Sequence, residues 1–260
     1  MTNRVGSYLD KLFPNPVCEL NYSSDYELLI AIVLSAQTTD KRVNSVTDIL
    51  YHKYNSLELL KEAPIEDIEN ILRPIGSFRK KALYVKEIAR ILDEEYDGVV
   101  PKDRDLLVSF PGVGRKTCNV FLSEYYHEPY IGVDTHVSRV SKRLGIASKN
   151  DDVLKIEKKL MKYFPKDEWA RRHLQLVLFG RYHCKAIKPN CSECELVDIC
   201  KEKKKNISSL NWYFFYTHFF SVSSYVFVLS VHSHFLVVEL YLASDGHVGS
   251  GSSLGFSNLK

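Results

Sequence analysis

The first 200 residues lack the sustained alternation of apolar and polar residues that β-strands produce, and residues 1–16 lack the continuous apolar core of a secretory signal. The first absence argues against sheet-based architectures for this region. The second leads us to expect a chain that remains in a reducing, intracellular compartment. A third absence concerns charge, because residues 211–238 contain no Asp, Glu, Lys or Arg.

The uncharged stretch is rich in aromatic residues and follows the lysine-rich segment KEKKK at 201–205. Its length and this flank suit a membrane span with the lysines on the cytoplasmic side, but Ser, Thr and His dilute its hydropathy. A strand-forming extension and a disordered extension are the alternatives, and contact of this segment with a membrane stays open. The Gly- and Ser-rich end at 244–260 predicts a flexible tail.

Apolar residues recur at steps of three and four through most of residues 1–200, which predicts an all-α protein. Ser24 and Glu27 form a capping box ahead of the run LLIAIVLSA, and Ser56 is placed to cap LELLKEA. The predicted helices are 3–12, 25–36, 40–54, 57–62, 65–73, 78–96, 103–109, 114–126, 135–143, 151–164 and 167–181.

Positive charge is concentrated ahead of the tail. The chain has a formal net charge of +3, and residues 206–260 carry only Glu239, Asp245 and Lys260, so the first 205 residues hold +4. With 26% charged and 45% hydrophobic residues, the composition is that of an ordinary globular protein. This balance permits a polyanionic partner without requiring one.

Four of the six cysteines fall within 17 residues. Cys184, Cys191, Cys194 and Cys200 have the spacing C-x6-C-x2-C-x5-C, which lets four thiolates converge from one compact loop. Four soft ligands favour zinc or a [4Fe-4S] cluster, although zinc ribbons usually have two close cysteine pairs and this motif has one. The crowding therefore predicts a metal site rather than a disulfide framework.

Two lysines, Lys185 and Lys188, lie within the first loop of this motif. A metal that folds the loop would place them against a phosphate backbone. The alternative is that they are ordinary solvated charges.

The segment DRDLLVSF-PGVG-RKTCNVFL predicts a helix, a tight turn and a second helix. Gly112 and Gly114 would let the backbone approach a phosphate closely, and the amides of Val113, Gly114 and Arg115 at the start of the second helix would supply donors that do not distinguish bases. The same turn also occurs in helical hairpins that simply reverse the chain.

A lysine and an aspartate follow this turn. Lys116 lies where helix amides already attract an anion, so a neutral fraction of its amine could attack a sugar carbon if that anion is DNA. Most helix lysines are merely solvated. Asp134, 18 residues later in VDTHVSRVSKRLG, is placed to cap the helix that starts near Thr135, and a cap is compatible with a catalytic role.

These motifs together resemble the endonuclease III family of helix-hairpin-helix DNA glycosylases. The resemblance covers about residues 3–203 and is carried by LNYSSDYELLIAIVLSAQTTD, IGSFRKKA, VPKDRDLLVSFPGVGRKTCNV, IGVDTHVSRVSKRLG and FGRYHCKAIKPNCSECELVDIC. It implies a six-helix domain at 21–133, a cluster domain formed by 1–20 plus 134–205, and an apolar, flexible extension at 206–260. It also implies that the four cysteines hold a [4Fe-4S] cluster.

The same resemblance implies further contacts with DNA. Gln37 would probe the gap left by a flipped base, Asp40 would lie near the DNA-contacting face and His136 beside the pocket. From the residue pattern alone, Gln37 is an ordinary polar helix end. The family commonly has a wedging leucine after IG, where this chain has Ser77 followed by Phe78, so Phe78 is the candidate wedge.

The resemblance implies a bifunctional DNA glycosylase and abasic-site lyase that acts on oxidised pyrimidines in damaged double-stranded DNA. Lys116 would displace the base and form a Schiff base, and Asp134 would assist the attack. We expect a monomer associated with the cytoplasmic nucleoid. The alternatives are a mismatch adenine glycosylase and, from another class, a non-catalytic iron-sulfur electron carrier or DNA-binding module.

Overall fold

The computed structural model describes residues 4–207 and four segments of the tail, 220–222, 225–232, 235–242 and 253–255. The chain divides into two compact units. One runs as far as Pro189 and also contains Glu195–Lys203, and the other contains Asn190–Cys194 and the residues from Lys204 onward. The division of residues 1–205 into a six-helix domain and a cluster domain stays a prediction.

The first unit is helical, which confirms the all-α prediction for this part of the chain. Shorter helical turns, 3-10 at Lys166–Glu168 and π at Phe179–His183, flank its last α-helix, and a further 3-10 turn at Cys191–Glu193 belongs to the second unit. The α-helices are α1 Arg4–Leu12, α2 Asp25–Leu34, α3 Asp40–Lys53, α4 Leu57–Glu62, α5 Ile65–Leu72, α6 Phe78–Glu95, α7 Arg104–Ser109, α8 Arg115–Tyr125, α9 Thr135–Arg143, α10 Val153–Tyr163 and α11 Trp169–Leu178.

Side-chain caps start several helices where the sequence predicts them. The Ser24 hydroxyl accepts from the amide of Glu27, and the Ser56 hydroxyl accepts from the amide of Leu59 at 3.2 Å. Each cap satisfies an amide that has no partner within its helix, which favours the helix start at that residue.

Helix α2 lies at the centre of the hydrophobic core. Its residues from Leu28 to Leu34 are all buried, and it packs against α3, α6 and α8. Because its apolar residues cover the whole circumference rather than one stripe, this helix must be surrounded by others. Residues from Leu20 to Leu122 form one continuous core around it.

Most helix ends differ from the predicted bounds by one to three residues, and two of these differences coincide with contacts made from far along the chain. Helix α2 ends at Leu34, two residues before the predicted end at residue 36. At this end the buried ammonium of Lys81 donates hydrogen bonds to the carbonyls of Leu34 and Ala36 at 2.9 and 2.8 Å. The predicted helix 167–181 is α11 flanked by a 3-10 and a π turn. The π turn falls at Gly180, where a Cβ would lie 2.9 Å from Cβ of His136.

The tail contains a four-stranded antiparallel sheet in the order β1-β2-β3-β4. The strands are β1 Phe220–Val222, β2 Tyr225–His232, β3 Phe235–Leu242 and β4 Ser253–Gly255. Strands β2 and β3 are joined by two residues and pair from Tyr225 opposite Leu242 to His232 opposite Phe235. Their Val, Phe, Tyr and Leu content suits strands, so the strand-forming alternative is the one that the structure has.

The membrane alternative is not supported by any helix that the structure describes. Of the helices within residues 4–207, none combines the length and the hydropathy that crossing a bilayer requires. Contact of the tail with a membrane stays a prediction. The predicted flexible segment 244–260 lies outside the described residues except for β4.

A buried arginine joins the N-terminal helix to α11. The Arg172 side chain is 5% exposed, and its guanidinium donates to Asp10 Oδ1 at 2.6 Å and to Glu168 Oε2 at 2.7 Å. It also donates to the Gly6 carbonyl at 3.1 Å and to the Gln175 amide oxygen at 2.7 Å. A buried cation is tolerated when its donors are satisfied in this way.

Replacing this cation tests how strongly it holds α1 in place. Arg172→Met should lower the free energy of unfolding by about 2 kcal/mol or more, because Asp10 and Glu168 lose a desolvated partner. Urea unfolding followed by circular dichroism measures the change. Arg171→Met is the matched control, since Arg171 also pairs with Asp10 at 2.8 Å but its side chain is 45% exposed. An exposed pair contributes less than about 1 kcal/mol, and equal losses in both variants would contradict this account.

Candidate active site

One cleft of the helical unit brings together Lys116 and Asp134, the two residues for which sequence analysis predicts catalytic roles. Asp40, His173 and Glu124 line the same cleft. These groups come from α3, α8, α11 and the start of α9. The cleft therefore assembles an amine and carboxyl groups from segments that are distant in sequence.

The hairpin turn before α8 requires glycine at one position for a reason internal to the fold. Gly112 has φ of +76°, in the left-handed region that side chains rarely adopt. A Cβ there would lie 2.6 Å from the Tyr84 ring and 2.9 Å from Val33 Cγ1. Gly114 is the N-cap residue of α8, and a Cβ there would meet nothing within 4 Å. Space near Gly114 is thus available to a ligand.

Lys116 is the second residue of α8 and is half-buried. Its neighbour Arg115 is held by Glu157 of α10, with Nε to Oε2 at 3.0 Å and Nη2 to Oε1 at 2.6 Å. Because the Glu157 side chain is only 2% exposed, this paired contact fixes the start of α8 against α10. The predicted contact of Arg115 with DNA stays a prediction.

Asp134 is the N-cap of α9, as the sequence predicts. Its Oδ1 accepts a hydrogen bond from the Val137 amide at 2.7 Å. This contact fixes the carboxylate at the positive end of the helix dipole, where a negative charge is favoured.

The segment that leads to Asp134 is fastened to α8. The buried Asn119 side chain donates from Nδ2 to the Ile131 carbonyl at 3.1 Å. Gly132 lies so close to α8 that a Cβ would be 2.4 Å from Val120 Cγ2 and 3.1 Å from the His173 ring. The approach of this segment to the helix that carries Lys116 therefore depends on a glycine and one buried amide.

The interior of the cleft changes the protonation of two groups. Burial lowers the pKa of His173 to about 4, with Asp134 opposing and Lys116 reinforcing the effect, so its imidazole is neutral near pH 7. Burial raises the pKa of Glu124 to about 8. Two side chains next to the predicted catalytic pair are thus uncharged near neutral pH.

Asp40 lies at the start of α3 and pairs with Arg181, whose Nη1 is 2.7 Å from Asp40 Oδ2. Arg181 also contacts the Glu19 carboxylate, which accepts from the Tyr182 hydroxyl. Asp40 therefore occupies the cleft as part of an ion-pair network. Its predicted place near the DNA-contacting face stays a prediction.

Gln37 and Phe78 lie outside the residues that line this cleft. Gln37 is exposed, has φ of +55°, and lies in the loop that Lys81 ties down through the Ala36 carbonyl and, at 3.1 Å, the Thr38 hydroxyl. Phe78 opens α6, half-buried, with the guanidinium carbon of Arg79 4.9 Å from its ring centroid. Their predicted insertion into DNA stays a prediction.

The remaining predicted contacts do not gather in the cleft either. Val113 is buried in the core, whereas Lys185 and Lys188 are exposed. His136 lies on the first turn of α9, where its Nδ1 is 3.3 Å from Arg139 Nη2. The predicted roles of these residues stay predictions.

The cysteine motif is partly organised by one arginine at the end of α9. Arg143 Nη1 lies 3.5 Å from Cys184 Sγ and donates to the Lys185 carbonyl at 2.7 Å. The Arg143 carbonyl accepts from the amide of Lys201, next to Cys200, at 2.6 Å. Burial raises the pKa of the Cys184 thiol, and the Arg143 guanidinium opposes that effect.

All six cysteines lie in the described part of the chain, and none of them forms a disulfide. Among the described residues, no three Cys, His, Asp or Glu side chains stand close enough together to hold a metal ion. The four thiols of the motif are nonetheless a chemically suitable set of soft ligands.

Sequence analysis missed two groups of the cleft, Glu124 and His173. Glu124 lies eight residues after Lys116 on α8, so helical spacing alone would have placed a carboxyl on the face of the lysine. His173 had no such signal, because its position beside Asp134 arises from the packing of α11 against α8 and α9.

Comparison with known proteins gives a family and close relatives. Residues 30–166 match the model of the HhH-GPD superfamily of base excision DNA repair proteins. The chain is 48% identical over 200 residues to an endonuclease III of Bacillus subtilis, covering 76% of this chain and 91% of the relative. It is 43% identical over 192 residues to an endonuclease III of Escherichia coli K12, covering 74% and 90%.

A solved structure of a trapped endonuclease III–DNA covalent intermediate has the same fold. It has a TM-score of 0.73 and 47% identity, and the match covers 78% of this chain and 97% of that chain. The resemblance found in the sequence motifs is therefore confirmed. The chain belongs to the HhH-GPD superfamily of base excision DNA repair proteins and, within it, to the endonuclease III family.

Proposed function

We propose that this chain removes oxidised pyrimidines from duplex DNA through Lys116, with Asp134 assisting, and then cuts the strand at the abasic site. The observation that carries the proposal is the single cleft lined by this amine and this carboxylate. A relative of 47% identity, described as a trapped covalent intermediate with DNA, also supports a covalent mechanism.

The class of activity follows from the family: the chain is a base-excision-repair DNA glycosylase and abasic-site lyase. The prediction of a bifunctional enzyme is thereby confirmed. Neither a mismatch adenine glycosylase nor a non-catalytic iron-sulfur module is favoured by the relatives that the chain matches.

Base excision begins when the neutral amine of Lys116 attacks the sugar carbon that bears the damaged base. The bond from that carbon to the base breaks, and the base leaves with the bonding electrons and takes up a proton. Positive charge develops on the sugar as the base departs, and the Asp134 carboxylate stabilises this charge. The N-cap hydrogen bond to Val137 holds the carboxylate in place during this step.

Strand cleavage follows from the covalent link between the sugar and Lys116. Loss of the ring C–O bond leaves a Schiff base, which makes the neighbouring sugar proton acidic. Removal of that proton expels the 3′ phosphate by β-elimination, and hydrolysis of the imine then restores the amine. Both activities thus use one nucleophile.

DNA would be held by the backbone at the start of α8 and by basic side chains. The helix N-terminus after Gly114 offers amide donors to a phosphate without reading bases. Extrusion of the damaged base into the cleft leaves a gap, which Gln37 would probe and Phe78 would help to open. A weakened pair makes extrusion easier, which favours damaged over intact DNA.

The four cysteines of the motif would hold a [4Fe-4S] cluster. Four thiols without a disulfide, one of them 3.5 Å from the Arg143 guanidinium, are the ligand types that an anionic thiolate cluster uses. No three of them stand close enough together in the described structure, so cluster binding would have to draw the loop together. When bound, the cluster would cross-link the loop and hold Lys185 and Lys188 toward a phosphate backbone. The chemistry at Lys116 and Asp134 takes place without it.

A single chain contains every residue assigned to the reaction, so we propose a monomer that acts on DNA in the nucleoid. All residues that line the cleft belong to the helical unit. The tail strands contribute no residue to the proposed chemistry.

Lys116→Gln removes the nucleophile and keeps a side chain of similar reach. Borohydride trapping on damaged duplex and strand cleavage should both fall below detection, because an amide forms no imine. Binding to an uncleavable abasic analogue should largely remain, since backbone donors still hold phosphates. Lys158→Gln, at an exposed position of α10, is the control. Wild-type trapping by the Lys116 variant would overturn the nucleophile assignment.

Asp134→Asn keeps an N-cap acceptor but removes the negative charge. Excision of thymine glycol, an oxidised pyrimidine, under single-turnover conditions should fall about a hundredfold, the usual scale for one electrostatic or acid-base group. Cleavage of a preformed abasic site should fall much less, because its aldehyde reacts with the amine without expelling a base. If the rates of base excision and of abasic-site cleavage fell by the same factor, with the circular dichroism spectrum unchanged, the role of Asp134 in assisting base excision would be wrong.

Cys194→Ser leaves three thiolates in the motif and should reduce bound iron. We expect the iron content per chain and the broad visible absorption to fall, together with soluble yield, because cluster binding stabilises the fold. Cys118→Ala is the control, since Cys118 is buried in the core outside the motif. Stoichiometric zinc and no iron in wild-type protein purified without oxygen would refute the cluster.

A further inference from the structure

A carboxyl group lies in the cleft two helical turns beyond the proposed nucleophile. Lys116, Val120 and Glu124 follow one another at every fourth position of α8, and all three line the cleft. Residues at this spacing share one face of a helix, and eight residues span about 12 Å along its axis. Lys116 therefore lies near one end of this face and Glu124 at the other.

The Glu124 side chain is buried without a complete set of hydrogen bonds. The residue is 8% exposed, and its Oε1 is shielded from solvent with no hydrogen-bond partner among the described residues. Buried polar atoms in folded proteins are almost always paired, and leaving one unpaired destabilises the fold. An unpaired oxygen in the lining of a cleft indicates that a ligand supplies the partner.

The state of this carboxyl group limits what it can bind. Burial raises its pKa to about 8, so most of it is protonated near pH 7. A protonated carboxyl has one O–H donor and one carbonyl acceptor, whereas a carboxylate only accepts. Glu124 can thus both donate to and accept from the same ligand.

We propose that Glu124 contacts the polar edge of the extruded base, donating a hydrogen bond to a carbonyl oxygen or a ring nitrogen and accepting one from an adjacent N–H. This inference rests on the proposed function, since it assumes that Lys116 attacks the sugar of that base. The base extends from the attacked carbon into the cleft, and the face of α8 leads from Lys116 to Glu124. The residue would therefore determine which bases are excised.

Pyrimidines carry an edge of this kind. Uracil-like rings present an N–H beside a carbonyl oxygen, and cytosine-like rings present an amino group beside a ring nitrogen. A protonated carboxyl is complementary to either edge because its donor and acceptor can exchange places. A saturated or oxidised ring keeps this edge, so one group would accept several damaged pyrimidines.

Other titratable groups surround the Glu124 carboxyl, and a pH experiment must distinguish the effect of their titration from the effect of Glu124. They line the same cleft or a second cavity that Glu124 also lines: Cys18, Glu19, Tyr22, Asp40, Lys116, His127, Asp134, Asp167, Arg171, His173 and Arg181. All of them remain in a Glu124 variant. The ratio of variant to wild-type rates at each pH therefore cancels their shared contribution.

Two substitutions and two substrates test the inference. For each variant, single-turnover excision of dihydrouracil is divided by cleavage of a preformed abasic site, which has no base to contact. Glu124→Leu should lower this ratio about tenfold or more, because a pocket that has lost a hydrogen-bonding group no longer favours the polar edge. Ser123→Ala is the matched control. The Ser123 hydroxyl is also buried without a partner but does not line the cleft with Lys116, so its ratio should match wild type.

Glu124→Gln decides the question even if the leucine variant folds poorly. An amide also has a donor and an acceptor, so its excision at pH 7 should be within about threefold of wild type. Between pH 7 and pH 9 the wild-type rate should fall relative to this variant, because the carboxyl loses its proton near pH 8 and the amide does not.

Two outcomes would overturn the inference. The leucine variant could keep the wild-type ratio, either with both activities unchanged or with both reduced in equal proportion, or the glutamine variant could follow the wild-type pH profile. Failure of the proposed function looks different, because wild-type protein would then form no borohydride-trapped complex with either substrate.

Discussion

The hydrogen bond from the Val137 amide to the Asp134 carboxylate is the contact on which the chemistry of the cleft depends. It starts helix α9 and at the same time fixes a negative charge beside Lys116. The segment before it is fastened to α8 by Asn119 and by the close approach of Gly132. Since α8 carries the lysine, the amine and the carboxylate are held by backbone geometry rather than by a direct ion pair.

Two buried cations outside the cleft have several hydrogen-bond partners each. Lys81 donates to two carbonyls and a hydroxyl, and Arg172 donates to two carboxylates, a carbonyl and an amide oxygen. Five other buried side-chain atoms have no hydrogen-bond partner among the described residues: Arg104 Nη2, Asn119 Oδ1, Ser123 Oγ, Glu124 Oε1 and His173 Nδ1. Of these five residues, only Glu124 and His173 line the cleft, so their open hydrogen-bonding capacity lies where a substrate would enter.

The sequence was sufficient to predict the helices because each one buries a face that repeats at steps of three and four. It failed at helix ends that distant residues determine, such as Leu34, where Lys81 takes the carbonyl. It could not decide between a span and strands in the tail, because aromatic and aliphatic residues without charge suit both. The helix-start positions of Lys116 and Asp134 alone indicated only a solvated lysine and an N-cap, and the resemblance of their motifs to a known family made their proposed roles predictable. Glu124 needed burial to be recognised, and burial is a property of the folded chain.

Two kinds of residue therefore lie at different ends of helix α8: residues proposed to react with the sugar, and a residue proposed to select the base. The start of α8 and the start of α9 supply the reactive amine and carboxylate, and both positions are set by local helix geometry. The far end of α8 supplies Glu124, whose protonation depends on the desolvation produced by neighbouring segments. Substitutions at two positions about 12 Å apart on a rigid helix usually have nearly independent effects when the two residues share no partner. On the proposal that Glu124 contacts the extruded base, substitutions at the far end would change which base is accepted while Lys116 and Asp134 keep their geometry, and a change of lesion preference would require no change in the proposed reaction.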